Sequence, residues 1–103
     1  MDDIDNILAP VYRAFPGLED LQPRPNDALF KACQRPGEPE QVTLARYRLC
    51  GAMSRVTRET YEIVNAAIAA WLRRFPKDFT IISVAEMVAM RCQWQPDLTS
   101  EMQ

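Results

Sequence analysis

The run from Thr57 to Phe75 constrains this chain more than any other stretch. Tyr61, Val64, Ile68, Trp71, Leu72 and Phe75 recur at three- and four-residue steps, the spacing of one helical face. Thr57 suits an N-cap, Glu59 suits a first turn, Arg73 and Arg74 complement the dipole of a last turn, and Pro76 stops the helix. Ala66, Ala67, Ala69 and Ala70 keep the rest of the surface thin enough for close packing. A chain of 103 residues supports one domain with one modest core. The expected fold is all-α: a single compact bundle of about five helices around a central helix 57–75. Residues 1–96 form the domain and residues 97–103 a frayed polar tail.

The other helices read less cleanly. Ile4, Ile7, Leu8, Val11 and Phe15 share a face that continues through Pro10, which predicts a kinked helix ended by Pro16 and Gly17. Leu18 and Leu21 are spaced to tuck onto the core from a Pro-rich loop. Asn26 is the expected cap of a short helix bearing Leu29, Phe30 and Cys33. A third helix runs from about Pro39 to Ser54 with Val42, Ala45, Leu49, Ala52, Met53 and Val56 as the buried stripe, and Gly51 leaves room for a neighbouring helix. Ser83 and Glu86 match a capping box, with Ile82 and Met87 as its staple. The last helix is therefore expected over about Val84–Trp94.

Several kinds of chemistry find no support. The chain has no His, and Gly17, Gly37 and Gly51 are isolated, so the commonest general base and a phosphate-cradling loop are both missing. Glu59 and Glu62, one turn apart, read as a solvated face and not as a catalytic dyad. Cys33, Cys50 and Cys92 contain no close pair. They read as small buried hydrophobes and not as a metal site, with Cys33 the best placed to react. Three widely spaced thiols suit a reducing cytoplasm, and no charged–apolar–small leader or bilayer-length apolar run is present. The expectation is a non-enzymatic cytoplasmic protein with no cofactor, no metal and no membrane partner.

Charge is distributed unevenly. The net charge is −2, yet no acid lies between Glu40 and Glu59, where Arg46, Arg48, Arg55 and Arg58 fall. Arg73, Arg74 and Lys77 form a second cluster, and ten of the twelve basic residues are Arg, the type suited to bidentate pairing. Leu44 and Tyr47 lie off the stripe of the third helix, beside Arg48. The preferred function is a protein-binding module, an adaptor or inhibitor docking on a larger protein. Leu44, Tyr47, Arg48, Arg55 and Arg58 form its surface. Its size and mild acidity would suit an inhibitor encoded by a mobile element. The alternative is a nucleic-acid patch made of Arg46, Arg48, Arg55, Arg58, Arg73 and Arg74. Homo-oligomerisation through a second apolar stripe, to which the off-stripe Met90 belongs, is a third possibility. In the bland case these arginines pair internally with Glu19, Asp20, Glu59, Glu62 and the N-terminal aspartates. A helix-turn-helix over Ser83–Met102 is disfavoured, because its second helix would carry Asp97 and Glu101 and no basic residue.

Overall fold

Helical spacing of apolar residues is realised along residues 3–92, the part of the chain that the computed structural model describes. The order is α1 (Asp3–Ala14), a 3-10 turn (Leu18–Asp20), α2 (Ala28–Cys33), α3 (Glu40–Ser54), α4 (Tyr61–Arg74) and α5 (Phe79–Cys92). No strand occurs among the described residues, and the fold is an all-α bundle. The expected tail, Trp94, Met102 and the second half of the weighed helix-turn-helix lie outside the described residues.

The helix α1 runs through Pro10 without ending. Leu8 and Val11, on either side of the proline, are both fully buried, and α1 packs chiefly on α4. Burying such side chains is worth about 1.5–3 kcal/mol each, which offsets the hydrogen bond that proline removes. Gly17, at φ 90°, turns the chain out of α1 and lets Leu18 enter the core.

Three helix starts differ from the sequence expectation, each for a local reason. The cap of α2 is Asp27, whose Oδ1 accepts from Phe30 N at 3.1 Å, while Asn26 takes a left-handed φ of 60°. Asparagine tolerates that region better than most residues, so it serves the turn and leaves the cap to its neighbour. The long helix begins at Tyr61. Thr57 N donates to Thr60 Oγ1 at 2.8 Å, which closes a separate turn over residues 57–60. The last helix begins five residues before Val84. Asp78 Oδ1 accepts from Ile81 N at 3.2 Å, so Phe79, Ile81 and Ile82 form the first turn of α5. Ser83 and Glu86 are consequently exposed interior residues of that helix and form no capping box, and Met87 is 60% exposed and staples nothing.

Trp71, Val64 and Ile68 carry the buried face of α4 into the centre. That centre is shared with α3, which touches every other element. Burial along α3 is not confined to one stripe: Thr43, Arg46, Tyr47 and Cys50 are inside together with the expected apolar set. A helix enclosed on several sides needs no amphipathic pattern. Gly51 faces the side chains of Leu18 and Leu21, so the close neighbour it admits is the 3-10 turn and its loop, not a helix.

Candidate functional site

The chemistry of the molecule concentrates where α3, α4 and α5 meet, around Asp78. This residue caps α5 and is 5% exposed. Its Oδ2 accepts from Arg46 Nε at 2.5 Å and from Trp71 Nε1 at 2.8 Å. Arg46 is 2% exposed, and its fork grips both oxygens of Glu38 at 2.6 and 2.9 Å while also donating to the Cys33 carbonyl at 2.8 Å. The guanidinium lies 5.6 Å from the Trp71 ring centroid and 5.9 Å from that of Phe75. This buried cation makes four hydrogen bonds, two carboxylates neutralise it and two rings flank it, which is the condition under which a buried charge is tolerated.

The electrostatics follow. Burial alone would push the Arg46 guanidinium towards neutrality, but its bonds to Glu38 and Asp78 and their charges overcome this and hold it charged. Burial would raise Asp78; its bonds from Arg46, Trp71 and the Ile81 amide outweigh that and hold it below its ordinary value. The hydrogen bonds from Arg46 hold Glu38 below its ordinary value in the same way. Two opposed carboxylates around one permanently charged Arg make a structural clamp, with no group poised to exchange a proton near neutral pH.

The sequence-predicted surface is largely taken up by the interior. Tyr47 is 8% exposed: its hydroxyl donates to Asp27 Oδ2 at 2.7 Å, and its ring meets Phe30 edge-on at 5.6 Å. Burial and then the Asp27 contact push its phenol up. Leu44 is half-buried against the core. Arg48 donates to the Leu21 carbonyl at 3.1 Å and lies over Tyr12, fastening the loop to α3. Only Arg55 and Arg58 of that set are exposed.

The six arginines of the expected nucleic-acid patch do not form one surface. Arg46 is buried and Arg48 is engaged with the loop. Arg55 and Arg58 precede α4, whereas Arg73 and Arg74 end it. A 14-residue helix separates the two pairs by roughly 20 Å. Internal pairing does occur, but Arg46 and Arg35 take Glu38 and Asp78 in place of the acids expected to pair with the arginines. The position of Arg46 was legible: Val42, Arg46, Leu49 and Met53 follow the i, i+4, i+7, i+11 spacing of one buried face.

Cys33 and Cys50 are free thiols in the core, in contact with each other across α2 and α3. The Cys33 contact and then burial push the Cys50 thiol up, while the Cys50 contact holds the Cys33 thiol down; both side chains are fully buried, so neither is an accessible nucleophile. The side chain of Cys92 lies outside the described residues.

Two surface features remain. An open cleft of about 440 Å³ lies over the clamp, lined by residues 74–78 together with Arg35, Glu38 and Arg46. Beside it, α5 exposes Phe79 (68%), Met87 (60%) and Met90 (81%). Their i, i+8, i+11 spacing puts them on one outer face, opposite the buried Ile81, Ala85 and Val88. Sequence reasoning missed this face because it placed Phe79 outside the helix and paired Met87 with Ile82. The chain matches no protein-family model, no curated protein and no solved structure.

Proposed function

We propose that this chain is a non-catalytic protein-binding module, an adaptor or inhibitor, that docks on a larger protein through the outer face of α5. The observation that carries this reading is the exposure of Phe79, Met87 and Met90 along one face of a helix whose other face is fully used by the core. Large apolar side chains aligned in this way mark interaction surfaces, and Phe and Met are among the types enriched there. Flexible Met side chains also adapt to irregular partner surfaces. The free core thiols Cys33 and Cys50 support a reducing, cytoplasmic setting.

The test is selection of random peptides displayed on phage against the protein and against the double variant Phe79→Ser/Met90→Ser. The two positions are solvent-exposed, so the variant should keep the far-ultraviolet circular dichroism and melting behaviour of the parent. Peptides selected on the parent should lose at least about tenfold in affinity for the variant, as expected for removal of two interface anchors. Selected peptides that bind both proteins equally would rule out α5 as the docking face. Light scattering on the free protein adds a second check: a dimer that the double variant dissolves would mean that a second copy covers the stripe.

A further inference from the structure

The cleft and the apolar face of α5 meet at the first turn of that helix. Phe79 directly follows Asp78, which lines the cleft. Thr80, one position further on, accepts a 2.7 Å hydrogen bond from Arg35, which also lines the cleft. An occupant of one feature therefore borders the other.

Charge in the cleft is sorted by depth. The side chains of Glu38 and Asp78 are 14% and 1% exposed, and both are directed at Arg46. The cations lie further out: the Arg35 side chain is 35% exposed, and Arg74 and Lys77 are exposed residues. The mouth is thus positive on a chain whose total charge is −2. Two of the cations are already oriented. Arg35 is held by the carbonyls of Ala32 and Gln34 at 2.8 and 3.0 Å as well as by Thr80, and Arg74 stacks on Phe75 at 4.8 Å. Groups fixed before binding lose less freedom when a ligand arrives.

We infer that the cleft binds carboxylates of the docking partner, so that the segment seated on α5 is an acidic amphipathic peptide with its acidic end beside Phe79. This inference rests on α5 being the docking face and adds the chemistry of what docks there. Phe79 and Met90 are eleven residues apart, or roughly 16 Å along the helix, which a partner segment of about three helical turns would match. The attraction is one of charge: Lys77 is a point charge, Arg74 is held on Phe75, and Arg35, whose terminal nitrogens already donate to Ala32, Gln34, Asp78 and Thr80, adds a fixed positive charge. Phosphate satisfies the same cations but offers nothing to Phe79, Met87 and Met90.

The probe is the same library of random displayed peptides, read now for composition. Peptides enriched on the parent protein should carry Asp or Glu at one end of an apolar pattern. A synthesised representative should lose about tenfold in affinity when its acids become Asn and Gln, and a similar amount against the Arg74→Glu/Lys77→Glu variant. The control is Arg58→Glu, an exposed cation at the other end of α4, which should leave binding within about twofold. Peptides that depend on Phe79 and Met90 but lack acids, or that bind the charge-reversed protein equally, overturn the carboxylate site and leave the docking face standing. If no peptide distinguishes either variant, both readings fall. Tighter binding of a single-stranded oligonucleotide than of any peptide, lost in the charge-reversed protein, would assign the cleft to phosphate instead.

Discussion

Removing the Asp78 carboxylate tests the buried clamp most directly. In Asp78→Ala, Arg46 keeps Glu38 but loses its 2.5 Å partner, Trp71 Nε1 loses its acceptor, and α5 loses its cap. Breaking a buried ion pair costs about 3–5 kcal/mol, an orphaned buried donor about 1–3, and a lost N-cap about 1. These overlap, because all three pass through one carboxylate, and Glu38 still neutralises Arg46. The expected net loss is about 4 kcal/mol. A chain of this size is stabilised by roughly 5–15 kcal/mol in total, so the variant sits near the limit of folding. Urea unfolding followed by circular dichroism should place its midpoint far below the parent's, and its melting temperature should fall by about 15–30 °C. Asp78→Asn gives a milder version. Its amide oxygen can face Arg46 and Trp71 or the Ile81 amide but not both, and about 3 kcal/mol should be lost. Glu38→Gln should cost about 1 kcal/mol, since that side chain is 14% exposed and its partner retains Asp78. A loss below about 1 kcal/mol in Asp78→Ala, at unchanged denaturant slope, would refute the view that this carboxylate ties α3, α4 and α5 together.

Two further outcomes follow from the same structure. Asp78 and Glu38 are both held below their ordinary values, so the unfolded chain binds more protons than the folded one as the solution is acidified. Their stabilisation is complete above about pH 5 and is lost as pH falls below about 4, through the folded values. Urea midpoints at several pH values should show that fall, and Asp78→Asn should show a shallower one. Glycine substitutions should have opposite signs. A methyl group at Gly51 would meet Leu21 and Leu18 carbons at 3.4 and 3.6 Å, ordinary contact inside a helix, so Gly51→Ala should stabilise by about 0.5–1 kcal/mol. Gly37 has φ +76°, and Gly37→Ala should destabilise by about 1 kcal/mol by the same unfolding assay.

Local patterns carried much of the fold. The apolar spacing of α1, α3 and α4, the proline and glycine stops, and the inward placement of Leu18 all follow from rules that act within a few residues. Helix starts were less legible where two good caps compete, as with Asn26 and Asp27, or where a later motif obscured an earlier one, as Ser83–Glu86 did Asp78. A side-chain cap is chosen by what else the carboxylate can reach. For Asp78 this means Arg46 and Trp71, which are 32 and 7 residues away in the chain.

The site was harder to read for the same reason. By itself the sequence determined an all-α chain with a strong helix ending in basic residues, because propensity, periodicity and capping act over one or two turns. Only the tertiary structure decided which partners meet the charged and aromatic side chains on those helices and how deeply each is buried. Packing α3 on several sides drew Arg46 and Tyr47 inward, where Glu38 and Asp78 for the one and Asp27 for the other compensate for lost water. Starting α5 at Phe79 turned Phe79, Met87 and Met90 outward, leaving the apolar face and the cationic cleft side by side. Burial depends on which elements surround a residue, and that is a property of the assembled bundle.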